Sequence, residues 1–278
     1  MLSKICVGDA QAVVKCLKSQ LFRIFIRNLT ILGRVISVPN YILMLGMPKS
    51  RSDEDGRREI KKMKKKEVVK RLKWSRPVIV KHVGEDRYDL FCEKTLNEFQ
   101  KLEPGAPVYR ESMNRQNFSF GVLGLSIYRV LLSEFGFETA RAFDVLNDFI
   151  CDSARQTREH SPLMRFMYSK MSRWKFLVKA ANKKMEFPYE PDGWLFKIPK
   201  SDAYWAMDIL QCGLVKYLKD QGAPEICKAF CNADYVAAEY MTGLNLVRTK
   251  TLADGDDLCD FRYYKERMVE KNESNARF

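Results

Sequence analysis

Histidine is almost absent from this chain. Only His82 and His160 occur among its 278 residues, and both lie far in sequence from the cysteine-rich carboxyl-terminal end. A histidine-rich metal site and a Ser-His-Asp centre both need histidine beside their other reactive groups. The sequence therefore argues against both kinds of site, and a metal would depend on thiolates and carboxylates.

A long hydrophobic run without charges is also missing. The longest uncharged stretch, residues 35–48, is interrupted by Pro39 and is shorter than the roughly twenty residues that a membrane-spanning helix needs. A spanning segment is therefore disfavoured. For residues 10–36, in which cations are interspersed among apolar residues, three interpretations remain open. They are a basic amphipathic helix on a membrane surface, a helix packed on the main domain, and a dispensable extension if translation begins at Met44 or Met47.

Positive charge is concentrated in one stretch. The formal net charge is +13, and residues 57–76 contain eleven Lys or Arg against two Glu, which leaves about +4 for the rest of the chain. Phosphate groups of nucleic acid or anionic lipid bind such a helix, but Trp74 is its only aromatic residue available for base stacking. We therefore expect a charged helix in solvent and no nucleic-acid partner, with peripheral membrane contact through residues 1–80 as the alternative.

Eight cysteines occur, at positions 6, 16, 92, 151, 212, 227, 231 and 259. The first ten residues carry Lys4 and Asp9 without a sustained apolar core, so we predict no secretory signal peptide. A cytoplasmic protein with free thiols is therefore expected, with membrane association as the alternative. Free cysteines are most often small buried hydrophobic residues, and this is our expectation for the first four.

The apolar pattern predicts a mostly helical domain. We divide the chain into an apolar and basic helical extension with a linker (1–56), a basic helix (57–82), a main domain (83–265) and a tail (266–278). Residues 118–135 are so uniformly apolar that they predict a buried central helix, and residues 138–151 predict a second helix packed on it. A third helix is predicted from Ser161 to Val178, and a further one from Ser201 to about residue 221.

The end of this domain predicts a small sheet. Residues 194–198 form a predicted strand, and residues 244–264 form a predicted hairpin with a turn at Asp254-Gly255. In its second strand Cys259, Phe261 and Tyr263 share one face. The predicted fold class is therefore α+β, mostly helical with a small antiparallel sheet formed by the C-terminal hairpin and one preceding strand.

Charged and reactive side chains crowd the hairpin and the segment before it. Cross-strand ion pairing on a solvated face would explain the charges of the hairpin, and a functional site would explain them equally. Cys227 and Cys231 lie four residues apart on a predicted short helix and so point the same way. Asp234 is predicted near the start of a further helical segment, where the helix dipole favours a carboxylate.

Four motifs in this region occur in a familiar order. They are Ile209-Leu-Gln-Cys212, Lys219-Asp-Gln-Gly222-Ala-Pro-Glu225, Phe230-Cys231-Asn-Ala-Asp234 and Arg248-Thr-Lys-Thr-Leu252-Ala-Asp-Gly255-Asp-Asp-Leu-Cys259-Asp-Phe-Arg262. The chain resembles the L-2-amino-thiazoline-4-carboxylic acid hydrolase family over residues 91–264, most clearly from Tyr204 onward. The resemblance implies a hydrolase that acts on non-peptide C–N bonds and opens the ring of a small amino-acid-derived cyclic amidine.

The Gly-Asp-x-x-Cys turn at residues 255–259 also resembles the end of vinyl-reductase-like ligand-binding domains of bacterial sensors, which hold zinc through a glutamate and cysteines. Arg248 and Thr251 stand where that glutamate and the middle cysteine belong, so we predict no cofactor. Zinc held by Cys227, Cys231 and Cys259 is the alternative.

Ring opening implies a nucleophile, a proton donor and a cation for the substrate carboxylate. Cys231 and Cys259 are the candidate nucleophiles, because nearby arginines and a helix terminus would lower a thiol pKa. Asp234 and Asp260 are the candidate acid–base groups. The substrate-binding candidates are Arg248, Arg262, Thr249, Thr251 and Cys212, with the arginines as carboxylate ligands.

A non-catalytic small-molecule-binding or sensing domain is the alternative function, in which the cysteine-rich end is structural. The sequence does not determine the substrate or the oligomeric state.

Overall fold

A long apolar helix lies at the centre of the fold. The computed structural model describes residues 65–107, 109, 111–185 and 190–266. Its α-helices are α1 Lys65–Trp74, α2 Arg76–Val83, α3 Tyr88–Leu102, α4 Ser112–Ser133, α5 Thr139–Glu159, α6 Pro162–Ser169, α7 Lys175–Met185, α8 Gly213–Asp220 and α9 Cys227–Glu239. Residues 121–128 of α4 are all buried, because α3, α5 and α8 pack around this helix. This burial explains its uniformly apolar sequence.

The sheet has four antiparallel strands. They are β1 Leu195–Lys197, β2 Trp205–Gln211, β3 Leu244–Val247 and β4 Cys259–Lys265, in the order β1-β2-β4-β3. Cys259, Phe261 and Tyr263 are buried on one face, as their alternation predicts. The predicted α+β class, mostly helical with a small antiparallel sheet, is confirmed.

Strand β2 corrects the prediction of a helix from Ser201. Residues 205–211 form a strand between β1 and β4, and the helix begins only at Gly213. Residues 205–208 are buried on both sides, so their sequence lacks the alternation that distinguishes a strand from a buried helix. The sheet therefore has one strand more than predicted, and β1 pairs with β2 instead of pairing with a strand of the hairpin.

Two other predicted elements differ from those observed. The third helix is divided into α6 and α7 by turns between residues 167 and 174, where no glycine or proline indicates a break. Asp234 lies within the continuous helix α9, so the argument from a helix start does not apply to it. The hairpin connection contains a 3-10 turn at Leu252–Asp254, which ends at Gly255 with a left-handed φ of 93°.

Two hydrophobic clusters form the core. The larger cluster joins α1 to α5 with α8 and α9, so residues 65–83 share the core of the main domain. The smaller cluster joins α6 and α7 to one face of the sheet. No helix in the described residues is long and apolar enough to cross a membrane. The predictions for residues 1–56, for residues 57–64 of the basic helix and for residues 267–278 of the tail lie outside the described residues.

Candidate functional site

A cavity of about 1050 Å³, including its open mouth, lies where the two hydrophobic clusters meet. Its wall is mostly aromatic and apolar and includes Phe120, Tyr168, Trp194, Phe196, Trp205, Met207, Phe230, Phe261 and Tyr263. Its reactive groups are Cys212, Cys227, Cys231, Cys259, Asp234 and Arg248. An apolar cavity with a few convergent polar groups is the usual form of a small-molecule site.

Cys212 occupies the junction between β2 and α8. It is the residue before the first turn of α8, with extended φ and ψ of −121° and 111°. Gly213 allows this junction to form, because a Cβ atom there would lie 2.2 Å from the backbone oxygen of Asp192. The Asp192 oxygen also accepts a hydrogen bond of 2.6 Å from the Tyr109 hydroxyl. The absence of a side chain at residue 213 therefore lets the backbone that follows Cys212 lie against the turn at Asp192.

The thiol of Cys212 is more acidic than that of a free cysteine. A hydrogen bond with Cys227 lowers its pKa, burial opposes this effect, and the backbone N–H groups of Leu214 and Val215 lower it further. The pKa of Cys227 is raised by its hydrogen bonds with Cys212 and Cys231 and by burial. Cys227 therefore remains a protonated thiol that stabilises a thiolate at Cys212.

Arg248 and Asp234 form an ion pair at the cavity wall. The Arg248 Nη1 atom donates to Asp234 Oδ2 at 2.9 Å, and its Nη2 atom donates to the backbone oxygen of Cys231 at 3.1 Å. The two side chains are only 3% and 13% exposed. Burial lowers the pKa of Arg248, but Asp234 and Cys231 raise it, and the net shift is upward. The guanidinium therefore stays charged.

The Nε donor of Arg248 is available to a ligand. Its Nε atom is buried and has no hydrogen-bond partner among the described residues. A buried donor without a partner is costly, so a ligand that supplies an acceptor there gains binding free energy.

Cys259 lines the cavity as a neutral thiol. Burial raises its pKa, the Leu252 N–H group opposes this with a hydrogen bond to Sγ of 3.2 Å, and the net value is about 12. At neutral pH this thiol stays protonated, which makes it a weak nucleophile.

The comparison with known proteins covers this whole site. A profile of the family described as L-2-amino-thiazoline-4-carboxylic acid hydrolase matches residues 116–263, more than half of the chain and every residue that lines the cavity. The chain belongs to this family. The family is named for the hydrolysis of a thiazoline acid. No curated protein and no solved structure matches the chain.

The cavity brings together five of the nine predicted site residues of this hydrolase-family chain: Cys212, Cys231, Cys259, Asp234 and Arg248. Cys227, predicted only as an alternative zinc ligand, is a sixth reactive group there. No group of three or more His, Cys, Asp or Glu residues with the arrangement of a metal site occurs in the described ranges, so the zinc alternative has no support from them.

The other four predicted residues do not line the cavity. Asp260 accepts hydrogen bonds from the Thr249 N–H and hydroxyl groups at 2.8 and 2.7 Å and from the Lys250 N–H group at 2.6 Å. Thr251 caps the 3-10 turn through Asp254. Arg262 lies on the opposite face of the sheet, 2.7 Å from Asp208. These contacts stabilise the hairpin loop and the outer sheet face.

The aromatic wall was not among the predicted site residues. Trp205 and Tyr263 stack at 4.7 Å between ring centroids, and Phe120 meets Phe230 edge-on at 5.8 Å. Each of these side chains has the sequence pattern of a core residue. Nothing in that pattern distinguishes a residue that packs against protein from one that packs against a cavity.

Proposed function

We propose that the chain is a hydrolase that opens the ring of a small cyclic amidine bearing a carboxylate, with Cys212 as the nucleophile. The observation that carries the proposal is the position of Cys212 at the start of α8, hydrogen-bonded to a second thiol and open to the same cavity as Arg248. Membership of the hydrolase family supports the substrate class.

Arg248 is the proposed ligand of the substrate carboxylate. Its Nε atom lacks an acceptor among the described residues, whereas Nη1 donates to Asp234 and Nη2 donates to the backbone oxygen of Cys231. Tyr235 and Phe261 hold the guanidinium in place, with their ring centroids 4.9 and 5.1 Å from its central carbon. A carboxylate at Nε would place the attached ring among the aromatic side chains of the wall.

The proposed first step is attack by the Cys212 thiolate on the ring carbon between sulfur and nitrogen. A carbon–sulfur bond forms, and the electron pair of the C=N bond moves to nitrogen. Collapse of the tetrahedral carbon expels either the ring sulfur or the ring nitrogen, and the substrate stays bound to Cys212 through this carbon.

Water completes the proposed reaction. It adds to the same carbon, and Asp234 accepts its proton and returns one to the expelled sulfur or nitrogen. The Cys212 thiolate then leaves, so one water is consumed and the enzyme is unchanged. Expulsion of sulfur gives a carbamoyl product with a free thiol, and expulsion of nitrogen gives one with a free amine.

The test is to incubate the purified chain with L-2-amino-thiazoline-4-carboxylate and to follow new thiol and new primary amine together. We expect one of them to appear at a rate proportional to protein, and to fall about a thousandfold or more in Cys212→Ala and Cys212→Ser. Cys151→Ser is the matched control, because this cysteine of α5 does not line the cavity. Full activity in Cys212→Ala, with loss in Cys231→Ala or Cys259→Ala, would reject Cys212.

A second candidate function is ligand binding without turnover. The large apolar share of the wall favours it, because a small polar acid does not need so many aromatic contacts. Saturable binding of the thiazoline acid with no thiol or amine release, by the chain and by Cys212→Ala alike, would support this function against hydrolysis.

A further inference from the structure

The corner between α6 and α7 exposes three aromatic side chains in contact with one another. Phe166, Trp174 and Phe176 are 45%, 37% and 43% exposed. The rings of Phe166 and Trp174 are 5.8 Å apart in an edge-on arrangement, and Trp174 stacks on Phe176 at 5.6 Å. We call these three residues the aromatic corner. Large aromatic side chains clustered in solvent indicate an interaction surface.

The opposite sides of both helices are packed against the core. Met164, Met167 and Tyr168 of α6, and Leu177 and Val178 of α7, are buried in the cluster that covers the sheet. The aromatic corner therefore faces away from the core and is not needed to form it.

The segment that carries the corner is rich in positive charge. Seven Lys or Arg and no Asp or Glu occur between His160 and Met185. Arg165, Arg173, Lys175 and Lys179 are exposed, and none of them forms an ion pair with a carboxylate in the part of the chain that the structure describes. The Lys170 ammonium lies 5.3 Å from the centroid of the Phe166 ring.

We propose that the aromatic corner docks the protein on an anionic lipid surface. Trp and Phe at the level of the headgroups, with Lys and Arg beside them, are the residues that hold peripheral proteins on membranes. A second copy of this chain is a poor occupant, because a two-fold contact would bring the same cations face to face. Single-stranded nucleic acid is also disfavoured, since the rings stack on one another instead of offering separate faces to successive bases.

The aromatic corner lies outside residues 1–80 in the sequence, and its proposal does not depend on the hydrolase reaction. Helix α6 contributes to both the aromatic corner and the cavity, because it carries Phe166 on its exposed side and Tyr168 in the cavity wall.

The experiment measures the contact of Trp174 with lipid directly. The full chain is mixed with vesicles of phosphatidylcholine containing about one third phosphatidylserine, with and without bromine on the acyl chains, because bromine quenches tryptophan that reaches it. We expect quenching in the parent chain and its loss in Trp174→Phe. Trp194 and Trp205 are buried, and Trp74 lies on α1 against His160. Quenching of these three residues would therefore indicate that a different part of the protein contacts the lipid.

Charge variants test whether the cations beside the aromatic corner contribute to lipid binding. Lys175→Glu combined with Lys179→Glu is expected to weaken sedimentation with the anionic vesicles by about tenfold or more, since each cation near such a surface contributes roughly a fivefold factor. Lys81→Glu combined with Leu90→Ser, both exposed on other helices, is the control and should bind as the parent does.

Three outcomes would overturn the proposal. They are no binding of the parent to anionic vesicles, quenching that persists in Trp174→Phe, and binding to a single-stranded oligonucleotide that the corner variants abolish while vesicle binding is unchanged. Persistent quenching would place the contact at another tryptophan and point to α1 and the residues before it.

Discussion

At the scale of single residues, the four thiols of the cavity are chemically unequal. The pKa of Cys212 is lowered by its hydrogen bond with Cys227, whereas burial raises the pKa of Cys259 to about 12. The difference arises from position, because Cys212 precedes a helix, whereas Cys259 is the first residue of the inner strand β4 and is buried among apolar side chains. A reagent that needs a thiolate should therefore distinguish them.

We predict that iodoacetamide modifies Cys212 before Cys259. A lowered pKa in the folded state keeps the reactive thiolate populated at pH values below the ordinary thiol range, and its reactivity is lost only as the pH falls through that lowered value. Cys259 should stay unmodified until the pH approaches 12 or the chain unfolds. Peptide mass mapping after timed alkylation between pH 6 and about 9 measures both rates. Equal rates at Cys212 and Cys259 would contradict the assignment.

The sequence predicted which cysteines are near each other but not which one ionises. Cys231 and Cys259 are the nucleophiles that the sequence suggests and Cys212 is a predicted substrate-binding residue, and the cavity contains all three. The acidity of Cys212 depends on Cys227 and on two backbone N–H groups at the start of α8. These contacts exist only because residue 212 ends a strand, and the sequence pattern had placed it within a helix.

At the scale of elements, the close approach of backbone segments sets the geometry of the site. Gly213 lets the start of α8 contact the turn at Asp192. Gly124 of α4 lets the ring of Phe230 pack against the α4 backbone, because a Cβ atom at residue 124 would lie only 2.4 Å from the tip of that ring. The sequence indicated most helices, because a buried stripe repeats every three to four residues. It did not indicate β2 or the α6–α7 break, because a doubly buried strand has no alternation and the break has no glycine or proline.

We predict that Gly213→Ala lowers stability and moves the Cys212 thiol away from its acidic position. The added Cβ would meet a backbone oxygen, which cannot rotate away as a side chain can, so a cost of about 1–3 kcal/mol is expected. Chemical denaturation measures this free energy of unfolding, and the alkylation profile of Cys212 should shift to higher pH. Gly105→Ala is the control, since nothing lies within 4 Å of its added Cβ, and it should be close to neutral. Identical results for the two variants would contradict the role of the junction.

At the scale of the whole molecule, the cavity lies where the two hydrophobic clusters meet. Trp194, Leu214 and Phe230 of its wall belong to the larger cluster, and Trp205, Phe261 and others belong to the smaller one. A ligand in the cavity therefore contacts both clusters at once. Ligands that bind the folded state alone stabilise it in proportion to the logarithm of their concentration.

We predict that the thiazoline acid raises the melting temperature of Cys212→Ala, which binds without turnover. At a hundredfold excess over the dissociation constant the gain is about 2.7 kcal/mol, or roughly 5–10 °C for a domain of this size. The matched ligand is the same ring without its carboxylate, which should give a much smaller shift because it offers no acceptor to the Nε atom of Arg248. Equal shifts with both ligands would exclude Arg248 as the carboxylate site.

The order of strands in the sheet has a consequence for how the molecule is assembled. β4 follows every other strand in the chain but lies between β2 and β3 in space. Before β4 inserts, β2 lacks one of its two neighbours and β3 has none, and the cavity has no floor of Cys259, Phe261 and Tyr263. During synthesis from the amino terminus, α1 to α5 can pack while the sheet is still incomplete, with an unpaired edge and an uncovered apolar face. Insertion of β4 therefore completes both the sheet and the cavity in a single late step. A variant that delays this step would leave the unpaired strand edge and the apolar face open to aggregation.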